Sequence, residues 1–216
     1  MRWMRRTDLL RYRRDLGWKD CPDLPDGIDI STDGGSVPDS LDGLADHLKD
    51  CSLCPLSERR KNVVFGEGSP SARLLFVGEG PGAEEDRSGR PFVGQAGRLL
   101  DGMIRALGFE RTQVYIANVV KCRPPGNRDP QPEEMAECSA FLDRQIEMIR
   151  PDAIIALGRI AARHLTGSDK TMGSLRGRWG QFKGIALMST YHPAYLLRSP
   201  LEKRKVWDDL KMVLER

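Results

Sequence analysis

Four short, almost unbroken apolar runs decide what this chain can fold into: RLLFVG (73–78), VYIANVV (114–120), AIIALG (153–158) and GIALMST (184–190). A strand with one wet face alternates apolar and polar residues, whereas a continuous run suits a strand buried on both faces. Helical patterns fill the intervals at 95–107, 132–149 and 159–165. A last helix opens with Ser199 as N-cap, Pro200 at the first helical position and Glu202 at the third, the signature of a capping box. Strands alternating with helices predict an α/β fold of three layers, α/β/α, around a central four-stranded parallel sheet. Sites in such sheets lie at the carboxyl ends of the strands. Gly78–Glu85, Asn118 and His192 fall at or just beyond three of those ends, which argues for one shared site.

At 216 residues the chain suits one domain with an appendage. Residues 1–40 read as a basic N-terminal extension running into a flexible linker rich in Pro, Gly, Ser and Asp, and residues 41–216 as the domain. The net charge of +3 neither requires nor opposes a nucleic-acid partner. No apolar run approaches the ~20 residues of a membrane span. Arg5-Arg6 is followed by no apolar segment of the kind a secretion signal carries. A cytoplasmic protein is expected. Five cysteines, an odd number, then argue against a disulfide framework and for metal binding or chemistry.

The stretch FVGEGPGAEEDRSGRPFVG (76–94) looks like a phosphate loop but carries the wrong charge. A dinucleotide fingerprint is G-x-G-x-x-G opening into a helix. Here Gly78, Gly80 and Gly82 follow a different spacing, Pro81 interrupts them, and Glu79, Glu84, Glu85 and Asp86 crowd the turn. A backbone cradle for a neutral, planar ligand fits better, because glycine lets main-chain N–H groups approach closely. A plain tight turn is the alternative. Cys51-x-x-Cys54 forms one ligand pair, with Cys122 and Cys138 spaced far wider and Cys21 apart in the linker. Four thiolates hold either zinc or an iron–sulfur cluster, and the wide second spacing favours the cluster over a zinc ribbon. Their flanks are rich in Arg and Lys, so a metal there would pin two basic loops into a phosphate-binding surface. His192 stands at the end of a buried run before Pro193, and Leu196, Leu197 and Arg198 follow in an expected loop. Asn118 is an amide inside an apolar run, so it either caps backbone or reads a ligand. Phe92 is equally compatible with plain core.

The blocks CSLC, VVFGEG, GEGPGAEEDRSGRPFVGQAGRLL, VYIANVVKCRPPGNRDP, the later Cys138 and HPAYLLR together resemble the iron–sulfur family-4 uracil-DNA glycosylases. The likeness runs from about Cys51 to the C-terminus, with every block in order. It implies a 4Fe–4S cluster on Cys51, Cys54, Cys122 and Cys138. It also implies hydrolysis of the N-glycosidic bond of uracil in single- or double-stranded DNA by a monomer with no membrane partner. The resemblance places Gly80 and Pro81 against the base, Phe92 stacked on it, Asn118 on O4 and N3–H, and His192 on O2. Where other families carry a water-activating Asp, this chain has Gly80. Glu79 is then the nearest substitute, and Glu85 would fill the space beside C5. Leu196, Leu197 and Arg198 would wedge into the base stack and steady the phosphates. The Lys/Arg-rich insertion of a DNA-trapping sister group is missing after Val120. A non-catalytic nucleic-acid module and a hydrolase of free nucleosides are the rival readings.

Overall fold

In the computed structural model of the chain, which describes residues 38–215, the helices and strands run as follows. The first half holds α1 (Leu41–Leu48), β1 (Glu67–Gly68), β2 (Leu74–Gly78), α2 (Ala83–Ser88), α3 (Gln95–Ala106) and β3 (Tyr115–Asn118). The second holds α4 (Pro132–Ile149), β4 (Ala153–Leu157), α5 (Arg159–Thr166), α6 (Met172–Leu175), β5 (Trp179–Phe182), β6 (Ile185–Thr190), α7 (Pro193–Arg198) and α8 (Lys203–Leu214). The extension expected over 1–40 lies, up to residue 37, outside the described residues. No helix among the described residues is long and apolar enough to cross a membrane.

The four apolar runs become the four central strands, in the order β3-β2-β4-β6, all parallel. Every residue of β2, β3 and β4 is buried, which is why none of them alternates. Leu75, Val77, Ala117, Ile154 and Ala156 pack on one face against Leu44 and Leu48 of α1, Leu142 of α4 and Ala161 of α5. Leu74, Phe76, Ile116, Ile155 and Met188 pack on the other face against Ile104 of α3 and Leu210 of α8. The three-layer α/β/α architecture follows from those two apolar faces.

Two short edge strands extend the expected four-stranded parallel sheet to a mixed six-stranded one: β1 antiparallel to β3, and β5 antiparallel to β6. The first has only two residues, and the second, WGQF, is four residues long with Gly and Gln exposed between its aromatics, so neither leaves an apolar run in the sequence. The final helix also begins later than its signature suggests. Ser199 closes α7, Pro200–Glu202 form a 3₁₀ turn, and Glu202 pairs with Lys205 instead of closing a capping box. Helix α2, directly after the glycine turn, has no apolar stripe to announce it, and Gly89 ends it at φ 72°.

Candidate active site

Sheet register aligns the ends of the central strands. Gly78 lies opposite Asn118, and Leu157 opposite Thr190, so four strands end side by side. The pairing continues past the strands, with Val119 N–H donating to Gly78 O and Val120 N–H to Glu79 O. Gly78 is the point of convergence. A Cβ there would lie 2.5 Å from both Asn118 Oδ1 and Phe92 Cζ, so only glycine lets the amide and the ring meet. Asn118 is 1% exposed, and its Oδ1 is buried without a hydrogen-bond partner among the described residues. Such an acceptor costs about 1–3 kcal/mol unless something supplies a donor.

Phe92 is buried with φ 50°, a conformation that strains a bulky residue. It persists because its surroundings overdetermine it. Arg111 donates to Phe92 O at 3.2 Å and to Pro91 O at 2.5 Å, and a Cβ on Gly97 would collide with Phe92 O. Its ring lies 5.5 Å from that of His192, tilted by 32°. The sequence brings Phe92, Asn118 and His192 from three segments, and the fold closes them on one spot.

His192 is the N-cap of α7, and its Nδ1 accepts the Ala194 N–H at 3.1 Å. One nitrogen of a neutral imidazole accepts and the other carries the proton, so Nε2–H is left as a donor. Burial pushes the imidazole pKa down to about 4, the Arg198 cation adds to the fall, and Glu85 opposes it. From below, Gly158 (φ 89°) packs so closely that a Cβ would come within 2.8 Å of His192 Cβ. Thr190, two residues upstream, donates to Asp209 Oδ2 at 2.6 Å, and Arg176 holds the same carboxylate. Leu196, Leu197 and Arg198 lie on the helix α7 and not in a loop, because His192 and Pro193 form a helix start. Leu196 is 1% exposed and belongs to the core, whereas Leu197 is 42% exposed. Arg198 is exposed at the helix end.

The glycine turn explains its own carboxylates. Glu85 Oε2 accepts from Gly82 N–H at 3.2 Å, while Oε1 accepts from Val93 and Gly94 N–H at 2.9 and 3.0 Å. It therefore staples the turn to the segment that carries Phe92. Asp86 is buried and accepts from Lys61 N–H at 2.8 Å, and Glu84 pairs with Arg87. Only Glu79 has no such bond. Burial raises its pKa to about 7, with Asp129 adding to the rise and Arg159 opposing it. Pro81 is buried, and a Cβ on Gly80 would lie 2.7 Å from Val120 Cγ2. Val120 thus fills the space where an aspartate would project.

Cys51, Cys54, Cys122 and Cys138 are free and line one pocket, with Leu48, Leu53 and Phe141 forming part of its apolar wall. Burial raises the pKa of Cys54 and Cys122, and pushes Cys138 up to about 12, so all three thiols are protonated unless a metal takes the place of the protons. Donors already face the sulfurs: Arg60 Nη1 lies 3.4 Å from Cys122 Sγ, and Lys121 N–H 3.3 Å from Cys138 Sγ. Among the described residues no three His, Cys, Asp or Glu side chains converge as a single metal ion needs, although the four cysteines line one pocket. The donor set fits a group that takes one thiolate at each of several metal atoms.

Two residues here escape sequence reasoning. Lys121 reads as part of a basic surface flank but is fully buried, with Nζ donating to Asn118 O at 2.9 Å and to Gln145 Oε1 at 2.5 Å. Gln145, also fully buried, donates to Phe65 O at 3.0 Å and to Tyr115 OH at 3.3 Å. The available signal is the position of Lys121, directly after an apolar strand and before a cysteine.

The family model for the uracil DNA glycosylase superfamily matches residues 65–211. The chain is 50% identical over 160 residues to a type-4 uracil-DNA glycosylase of Thermotoga maritima, covering 72% of this chain and 82% of that protein. It is 44% identical over 186 residues to the type-4 uracil-DNA glycosylase of Sulfurisphaera tokodaii, covering 82% and 84% of the two chains. With that of Archaeoglobus fulgidus it shares 41% identity over 187 residues, covering 82% and 93%. With the ends of β2 and β3 meeting Phe92 at Gly78 and its four free thiols around one pocket, the chain belongs to the uracil-DNA glycosylase superfamily, in the type-4 branch.

Proposed function

We propose that the protein hydrolyses the N-glycosidic bond of uracil in DNA, leaving an abasic site for repair. The observation that carries this reading is the buried, unpartnered Oδ1 of Asn118 beside the Phe92 ring. Uracil presents a donor at N3 and an acceptor at O4, so one carboxamide answers both. The base must leave the duplex to reach this depth. Phe92 then supplies a face on which it stacks, and the main chain at Gly80 and Pro81 borders it. As the C1′–N1 bond breaks, its electron pair moves onto the departing uracil and charge grows on O2. His192 Nε2–H donates to that oxygen, an electrostatic role that strengthens as the charge develops. Water adds to C1′, and its proton passes to Glu79, whose raised pKa suits a general base near neutrality. Glu85 acts through position, holding the turn against the Phe92 segment. Exposed Leu197 takes the place of the extruded base and Arg198 meets the phosphates, with Leu196 anchoring the helix beneath them. Every group invoked comes from one chain, so a monomer suffices.

Cys51, Cys54, Cys122 and Cys138 would hold a 4Fe–4S cluster. Four thiolates suit a cubane, which would take one at each iron, and the wide spacing of Cys122 and Cys138 does not suit a zinc ribbon. Bound there, it supplies a crosslink between the segments around Cys51, Cys122 and α4.

The test is an oligonucleotide carrying one uracil, incubated with the purified protein and then treated with alkali to break abasic sites. Strand breaks at the uracil position alone are expected, with free deoxyuridine untouched. No breaks, with the protein folded and bound to DNA, would favour a non-catalytic binding module; turnover of free deoxyuridine alone would favour a nucleoside hydrolase.

A further inference from the structure

Lys121 is a buried cation without a carboxylate. Its side chain is wholly shielded from solvent, and its two hydrogen-bond acceptors, Asn118 O and Gln145 Oε1, are neutral. An ammonium buried in this way is costly unless an opposite charge lies near. The counter-charge within reach is that of the sulfurs once they hold a metal as thiolates. The main-chain N–H of Lys121 points at Cys138 Sγ, Cys122 follows it in the chain, and Lys121 itself lines the cysteine pocket. The other end of the residue holds Asn118 O, the carbonyl of the strand-end residue that presents the Asn118 amide. Gln145, on the same helix as Cys138, completes the link and is tied in turn to Phe65 and Tyr115. One residue therefore touches the backbone of the base-reading amide at one end and a cluster thiol at the other.

We infer that Lys121 is a positioning residue that couples the metal centre to base reading. Its charge balances the thiolate-held group, and its Nζ fixes the end of β3 so that the Asn118 amide keeps one orientation. The inference rests on the iron–sulfur reading of the four cysteines. Solvation drives the coupling. With the pocket loaded, the cation has a counter-charge and stays seated on Asn118 O. Without that charge the ammonium is held only by neutral acceptors, and the strand end loses its anchor. Both hydrogen bonds of the Lys121 ammonium run to groups inside the protein, so its effect on excision is expected through the groups it holds.

The experiment compares the iron-loaded parent protein with Lys121→Met, which keeps the length and removes the charge and its donors. The parent first has to show iron and visible absorbance; a colourless, iron-free parent overturns the cluster reading on which this inference stands. With a loaded parent, Lys121→Met should lose its cluster absorbance under excess chelator ~10-fold faster or more. Its single-turnover uracil excision should also fall by ~10-fold or more, as outer-shell partners of metal ligands typically do when replaced. Affinity for uracil-free DNA should stay at the parent value. Parent-like cluster lifetime, parent-like excision, or a change in only one of the two would overturn the coupling. If Lys121→Met does not fold, Gln145→Leu removes the second Nζ acceptor while leaving Asn118 and every cysteine in place. The same paired losses are expected from it, and their absence would have the same meaning.

Discussion

In the proposed mechanism His192 acts as a neutral imidazole, because burial and Arg198 both oppose a positive charge on it, while Ala194 N–H fixes Nδ1 as the acceptor. A donor that works only as charge develops should matter to rate far more than to binding. His192→Ala is expected to slow single-turnover base release by ~100–1,000-fold with DNA affinity little changed; an unchanged rate would make His192 purely structural. Glu79 shifts in the opposite sense, from 4.5 up to about 7. The folded state thus binds its proton more tightly than the unfolded chain does. That stabilisation is present below pH 4.5 and is lost as pH rises through about 7. If Glu79 is the base proposed above it has to be ionised, so excision should rise across the same interval, and Glu79→Gln should abolish both trends. A pH–rate profile that Glu79→Gln leaves intact would remove the carboxylate from the mechanism. Such residues are legible in a sequence because polar groups at the ends of apolar runs are chemically out of place. Lys121 was not, since a lysine beside a cysteine and an arginine looks solvated until the fold closes over it.

At the scale of elements, the central strands were legible because burial on both faces leaves continuous apolar runs. The edge strands and α2 were not, since elements of two to six residues with an exposed face imprint no period on the sequence. The HPAYLLR segment shows the practical difference. Read as a loop it offers two adjacent leucines as equivalent wedges, but as the helix α7 it turns one inward and the other out. Leu196→Ala should therefore destabilise the domain by about 2–5 kcal/mol, as buried leucines do. Leu197→Ala should leave stability within about 0.5 kcal/mol and slow excision from duplex more than from single-stranded DNA. Thermal melts alongside single-turnover rates on both substrates separate the two, and a Leu197→Ala variant as active as the parent on duplex would contradict the wedge.

Over the whole molecule, the site depends on two assemblies that the chain makes far apart in sequence. One is the convergence on Gly78; the other is the cysteine pocket, which ties Cys51 and Cys54, beyond α1, to Cys122 and to α4. The four-cysteine set was legible, but whether its sulfurs share one pocket depends on the fold. Purified protein should be brown with about four irons, and Cys122→Ser should lose iron, folded protein and DNA affinity together; a stable, active Cys122→Ser variant would contradict a structural cluster. The central claim is that this assembly reads uracil through Asn118. Asn118→Asp is nearly isosteric, keeps an acceptor for N3–H and sets a carboxylate against O4. Hydrogen-bonding sites discriminate by ~10⁴-fold or more when such pairs are mismatched. The measurement is single-turnover excision from matched uracil- and cytosine-containing oligonucleotides, with iron absorbance and melting temperature recorded on the same samples. Uracil excision should collapse in Asn118→Asp while absorbance and melting temperature hold, and excision of uracil at the parent rate would show that Asn118 does not read the base.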